Sequence, residues 1–344
     1  MAVAEFVAAS DAAAPGEPCE PGERDVSAMG DASAGEANAN SPAPDAGLLL
    51  SSQLLSAIEL QVPTWSGADL LERLEQSLAN RPSRLQLPAF SKDQARDVHE
   101  AQQANSDPSL AMRLLRCDGV AVNDVPVSRS DFERLRHSDD RGLSNVQALY
   151  LSDEIVDAWA QCLRRTSARA EAAGVFMWPS ALVWKLFGYH GFPPTVRDVQ
   201  RPTLNWKRAG LHLLKQRAWL FPRVRNRHWD AVLVDFKSKQ VVHVDSLHGS
   251  NPTVVSHVCA ILEVVSQVLE GRSFDFSAWV RGSLGMHSPK QPDGHNCAVF
   301  VLLLARCLHH DVKLTRRWNA AQCNVQRDVI ALELMSAELL TFVG

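Results

Sequence analysis

Two hydrophobic periods divide this chain. From Leu48 onward, "GLLLSSQLLSAIEL" and "SGADLLERLEQSL" carry apolar residues at helical spacing, and the second sets Leu70, Leu71, Leu74 and Leu78 on one face. Ser66 and Asp69 at its head read as a capping box, and the leucine face is expected to pack on the main domain. Pro82, Pro88 and the polar stretch 91–108 predict a loose connection, followed by a short helix in "SLAMRLLRC". Beyond residue 127 the periods alternate. Helix is predicted at "SDFERLR", at "SDEIVDAWAQCLRRTSARAEA" and around residues 181–187. The runs "HWDAVLVDF" and "QVVHVDSL", joined by the polar turn "KSK", predict a β-hairpin. A helix over 253–269, a strand within "SFDFSAWVRGSL", a helix opening at Cys297 and a last helix over 325–342 complete an α+β pattern. No internal repeat accompanies it.

Residues 1–46 hold neither period. Rich in Ala, Gly, Pro, Ser and acid, they cannot bury enough apolar surface to offset the entropy of ordering, so disorder is predicted. The chain thus divides into a disordered acidic tail (1–46), a helical N-terminal extension (47–126) and a main domain (127–344). Charge follows the same division. Nine acidic side chains against Arg24 alone give residues 1–50 a net charge of -8, so the overall -4 leaves +4 for residues 51–344. That mild basicity is too weak to call for nucleic acid, and no such partner is expected. The tryptophans, among them Trp178, Trp184, Trp206, Trp219 and Trp279, read as core and rim because no basic stripe accompanies them.

Seven cysteines, odd in number, scattered and never in a C-x-x-C pair, argue against a disulfide framework and against a zinc site. They fit reduced thiols in nucleus or cytoplasm. The N-terminus has no basic region ahead of its apolar stretch, and the longest apolar run, 298–305, is far short of the roughly 20 residues a membrane span needs. An intracellular protein without a membrane partner is expected.

The segment "KQPDGHNCAVFVLLLA" concentrates the chemistry. A nucleophilic cysteine needs a base in hydrogen-bond reach, a group that orients the base, and often a helix N-terminus whose partial positive charge favours the anion. Cys297 stands where a polar turn becomes a helix. His228 opens the first strand of the hairpin and Asp245 ends the second, so antiparallel pairing brings them together as an imidazole–carboxylate pair. Gln291, a short turn before Cys297, can donate its amide to an oxyanion, with the Cys297 backbone N–H as second donor. His309 and His310, with Cys307 and Asp311 nearby, have the look of metal ligands, but at a helix end histidines suit the orphan carbonyls, so no metal is expected.

Together "NRHWDAVLVDFKSKQVVHVDSL" and "QPDGHNCAVFVLLLA" resemble the ubiquitin-like-specific cysteine proteases, the Ulp/SENP group that processes and removes SUMO and related modifiers. "YLSDEIVDAW", with "SRSDFERLR" upstream, is similar to the segment that opens that catalytic domain, usually written WLNDEIIN. The resemblance spans 127–344 and implies a papain-like α+β fold, a mixed sheet flanked by helices, with no cofactor. It implies His228 as general base, Asp245 as orienting carboxylate, Cys297 as nucleophile and Gln291 as oxyanion donor. It further implies Trp229 and Tyr150 as opposing aromatics of a narrow tunnel over the modifier's Gly-Gly tail, and Asp153 as an acidic contact. The implied partner is SUMO or another ubiquitin-like protein and its conjugates.

Four features depart from that pattern. Ala298 stands where the family has glycine after the nucleophile, Asn296 where aspartate is common before it, Tyr150 replaces tryptophan, and "HSDDRGLSNVQA" is an insertion. A position needing positive φ or close approach to substrate would suffer from a methyl group, whereas ordinary helical backbone would favour it. Two other readings use the same residues. One is an acetyltransferase of the same clan, its thioester resolved by a substrate hydroxyl or amine; the other is a catalytically weak domain that binds a modifier without cleaving it.

Overall fold

Side chains in the central strands alternate between two apolar faces, and this alternation builds the molecule around one sheet. The computed structural model describes residues 52–78, 91–102, 127–137, 149–169, 174–187, 195–313, 317–336 and 339–340. The expected acidic tail, the helix in "SLAMRLLRC" and nearly all of the insertion lie outside them. Strands β1 (Val175–Met177), β2 (Ala218–Arg225), β3 (His228–Asp235), β4 (Gln240–Val244) and β5 (Val280–Ser283) lie side by side in that order. Outer pairs β1–β2 and β4–β5 are parallel, and the inner pairs are antiparallel. The predicted hairpin is β3–β4, with Ala231 opposite Val244 and Asp235 opposite Gln240.

Each face carries its own core. Trp229, Ala231, Leu233, Val242 and Val244 face one cluster, which also takes residues of α5 (Asp153–Arg169), α9 (Cys297–His310) and α10 (Ala320–Ser336). Val232, Val234 and Val241 face the other, with Trp219 and Phe221 of β2 and the length of α8 (Pro252–Glu270). Among the described residues α8 is the one helix long and apolar enough to cross a membrane, and most of its apolar stretch is buried in this second core. Asn251 caps its start and Gly271, at φ 68°, ends it in the left-handed conformation that glycine adopts without strain.

The described residues ahead of 127 pack on this frame. Between α1 (Ser52–Gln61) and α2 (Gly67–Ser77) the chain runs along β5, where Trp65 N–H donates to the Arg281 carbonyl at 2.9 Å and Arg281 N–H to that of Pro63 at 3.0 Å. A Cβ on Gly282 would lie 2.8 Å from the Trp65 carbonyl oxygen, so only glycine permits this approach. Ser66 caps α2, accepting from the Asp69 N–H at 3.2 Å, but the expected capping box is half made, since Asp69 Oδ2 accepts from Ser66 Oγ at 2.6 Å in place of the Ser66 N–H; Leu70, Leu71, Leu74 and Leu78 are buried.

Two expectations need correction. Within the stretch expected to be a loose connection, residues 92–102 form α3 (Lys92–Gln102), whose Ser91 and Gln94 cap each other reciprocally. Its one buried apolar residue among the described side chains, Val98, gives too little periodicity to read. The last helix starts at Ala320 and ends at Ser336, because Asn319 and Gln322 exchange hydrogen bonds of 2.9 Å at its head. The remaining helices are α4 (Arg129–Glu133), α6 (Ser180–Leu186) and α7 (Val196–Arg208), the first closed by a Ser128–Asp131 capping box.

Candidate active site

The site forms where β3 begins, β4 has just ended and α9 starts. His228 is the first residue of β3 and Asp245 follows the last of β4, so the hairpin register sets them diagonally across from each other. His228 Nε2 lies 2.6 Å from Asp245 Oδ1. The carboxylate is fixed from two other sides: Oδ1 also accepts from the Leu247 N–H at 2.8 Å, and Oδ2 accepts from the Gly249 N–H at 3.1 Å. This approach requires glycine, since a Cβ at Gly249 would sit 2.2 Å from Asp245 Oδ2.

Cys297 is the first residue of α9, and its side chain stands close enough to His228 to act on the protonation of the imidazole. With Nε2 given to Asp245, Nδ1 is the ring atom left for sulfur. Burial works to lower the pKa of His228, but hydrogen bonds to Asp245 and Cys297 and the charges they carry outweigh it and raise it to about 10. Burial likewise works to raise Asp245, and the His228 and Leu247 hydrogen bonds overcome it, holding the carboxyl below its usual range. The arrangement sets an imidazole that favours its protonated form between a carboxylate and the Cys297 sulfur. Burial pushes the thiols of Cys259, Cys307 and Cys323 each up to about 12.

Gln291 lies beside this group. Its backbone N–H donates to the Ser246 carbonyl at 3.2 Å, Oε1 accepts from Ser246 Oγ at 2.5 Å, and Nε2 donates to the Asp293 carbonyl at 2.5 Å. An amide nitrogen has two hydrogens, so one remains for a substrate oxygen. Trp229 is buried, and its Nε1 donates to the Leu151 carbonyl at 3.2 Å, tying the hairpin to the segment before α5. With Ala231, Val244, Ser246 and Phe300 it lines a cavity of about 20 Å³ beside Cys297. Tyr150 packs half-buried against the first core, and Asp153 is exposed in the first turn of α5. Ala298 is buried in helical backbone without positive φ, where a methyl group is favourable.

Two groups escaped the sequence reading. On the second face of the sheet Arg223 grips Asp230 through two contacts of 2.7 Å, and His243 Nε2 stands 3.3 Å from Asp230 Oδ2. Ligand atoms of Asp230, His243 and Asp245 lie within 4.8 Å of one another, a spacing a cation could use. Both Asp230 oxygens are taken by Arg223, and those of Asp245 by His228, Leu247 and Gly249, so this donor set does not fit a metal. The second group is Arg327, whose buried guanidinium reaches the turn before Cys297 from α10. Nothing in the local pattern of either segment marks these contacts. His309 and His310 end α9 as expected, and Asp311 beyond them binds Arg217 at 2.5 Å.

Comparison with known proteins places this geometry. The profile of the Ulp1 protease family, C-terminal catalytic domain, matches residues 150–334. Sentrin-specific protease 2 of Homo sapiens is 22% identical over 208 residues, covering 60% of this chain and 33% of that protein, and its Mus musculus counterpart matches to the same extent. The chain therefore spans about a third of the length of these curated relatives. Among solved structures, the Chaetomium thermophilum Ulp1-like SUMO protease catalytic domain superposes with a TM-score of 0.55 at 22% identity, over 76% of this chain and 96% of that one. The C-terminal Ulp1 protease domain in complex with Smt3, the yeast orthologue of SUMO, gives 0.51 at 17% identity, over 74% and 99%. The mixed sheet flanked by helices is thus the fold of these proteases, as expected. Since the matched segment takes in more than half of the sequence and holds His228, Asp245 and Cys297 alike, the chain belongs to the Ulp1 protease family.

Proposed function

We propose that this protein is an intracellular thiol isopeptidase that cleaves after the C-terminal Gly-Gly of SUMO or a closely related modifier, using Cys297, His228 and Asp245 as its triad. One observation carries the reading: a cysteine at a helix N-terminus interacts with an imidazole that is itself 2.6 Å from a carboxylate. Membership of the family and the modifiers named for its relatives support the substrate class.

The reactive form pairs a Cys297 thiolate with imidazolium His228. Cys297 Sγ attacks the carbonyl carbon of the terminal glycine, forming C–S while the C=O electron pair moves to oxygen. Gln291 Nε2 and the Cys297 backbone N–H donate to that oxyanion. As it collapses, the C–N bond breaks and the leaving lysine amine takes the proton of imidazolium His228. Now neutral, His228 removes a proton from water, which attacks the thioester and expels the thiolate, restoring the pair. Trp229 and Tyr150 flank the tail, Asp153 meets the modifier's surface, and no cofactor enters any step. Helical backbone at Ala298 favours this reading over a binding-only domain, since the methyl group there does not strain the nucleophile's helix.

Fluorogenic C-terminal amides of SUMO and of ubiquitin test the proposal. Turnover of the SUMO derivative is expected, with ubiquitin slower by about 10²-fold or more because the tail's flanking surface is not matched. Turnover of ubiquitin alone would move the substrate class. Turnover of neither by folded protein would overturn the hydrolase reading in favour of acyl transfer or binding without cleavage.

A further inference from the structure

Arg327 belongs to the last helix, yet its guanidinium reaches the turn before the nucleophile through Nε and Nη2. The residue is fully buried. Nε donates to Asn296 Oδ1 at 2.8 Å, Nη2 to the carbonyls of Leu149 at 2.9 Å and His295 at 3.4 Å, and Nη1 to the carbonyl of Arg134. One side chain thus joins the turn before Cys297 to the ends of two other segments.

The turn is held from its other side by Asp293, which accepts from the His295 and Asn296 N–H groups at 3.0 Å each and from Asn296 Nδ2 at 2.6 Å. Asn296 therefore donates to a carboxylate and accepts from a guanidinium at once. An amide can do both, whereas an aspartate could accept from Arg327 but would repel Asp293. This explains why asparagine precedes the nucleophile here. It also leaves a buried positive charge, without a carboxylate in direct contact among the described residues, within electrostatic reach of the Cys297 sulfur.

We propose that Arg327 is the positioning residue of the nucleophile: through Asn296 it fixes the turn that launches α9, and its buried charge favours the Cys297 thiolate. The inference rests on Cys297 being the nucleophile. Groups facing Arg327 are few. Asp293 offsets part of its charge, while Cys323, pushed up to about 12, and His295, lowered by burial, are both neutral near pH 7. Burial lowers Arg327 itself to about 10, which leaves it charged there, and on the far side of the sulfur stands His228.

Alkylation of Cys297 by iodoacetamide, followed peptide by peptide across pH in the full chain, tests this without any modifier. In Arg327→Gln the rate at pH 7 is expected to fall about tenfold, the gap closing as pH rises, because a nearby opposite charge is worth about one unit in a protonation equilibrium. Asn296→Asp, which cancels the charge while keeping Arg327, is expected to slow alkylation similarly, and Arg327→Lys to slow it less. Cys259, Cys307 and Cys323 report folding: Cys297 is buried like them but borders the cavity beside Trp229, which they do not line, so they stay unlabelled in the folded chain. Where Arg327→Gln labels them, the other two variants decide. Unchanged pH profiles in the folded variants, with only lower melting temperatures, would reduce Arg327 to a structural role and overturn the proposal. Failure of wild-type Cys297 to react ahead of the buried thiols would instead strike at the nucleophile assignment.

Discussion

Replacing His228 with alanine is expected to lower kcat/KM for the scissile bond by about 10³-fold or more, with modifier binding nearly unchanged. The imidazole supplies the proton for the leaving amine and later takes one from water, and no other described titratable side chain is shown hydrogen-bonded to Cys297 to replace it. Burial of the modifier's surface does not involve that proton, so a competition binding assay should separate the two effects. A loss of less than tenfold would mean that the base lies elsewhere. The same variant changes stability in a definite direction. Because His228 is raised from 6.5 to about 10, its protonated form stabilises the fold fully below pH 6.5, and that contribution fades as pH rises towards 10. Thermal melts of wild type and His228→Ala should therefore differ most at neutral and lower pH, down to where Asp245 takes up its proton, and converge near pH 10.

Asp245→Asn should cost about 10²-fold or more in kcat, by a different route. The carboxylate accepts three hydrogen bonds, from His228 and Leu247 on Oδ1 and from Gly249 on Oδ2, and an amide offers one oxygen for them. Its oxygen best keeps the Oδ1 position, and its NH₂ then meets the Gly249 N–H donor to donor. Loss of the negative charge also lets His228 fall back towards its ordinary range, so the alkaline limb of the pH–rate profile should move down from about pH 10. Gly249→Ala acts on the same carboxylate more gently, pushing it off the ring without removing its charge, and should reduce kcat while leaving the alkaline limb less displaced. An unmoved limb in Asp245→Asn would show that another group holds His228 protonated.

The parts of this site legible in the sequence are those at the ends of strongly patterned elements. His228 and Asp245 cap a hairpin whose alternation fixes its register, and Cys297 opens a helix whose apolar run cannot be mistaken. Their meeting follows from antiparallel pairing alone. Strand β2 was harder to see because Pro222 and Arg223 interrupt it, and Pro222 is tolerated because β1 flanks only Ala218 to Leu220. Helix α3 rests on caps and charged pairs such as Arg96 with Asp93 at 3.0 Å, which leave little hydrophobic periodicity. Least legible were the contacts of Arg223 and Arg327. A period tells which face of an element a residue occupies, but whether a buried arginine on that face finds a carboxylate or a row of carbonyls depends on the distant segment opposite. For Arg327 that segment is the nucleophile's own turn.

The most direct measurement incubates the purified chain with SUMO bearing a C-terminal electrophile and maps the adduct by mass spectrometry. A single covalent adduct on the peptide containing Cys297, absent in Cys297→Ala, is the predicted result. An adduct on another cysteine, or none on folded protein, would contradict the account.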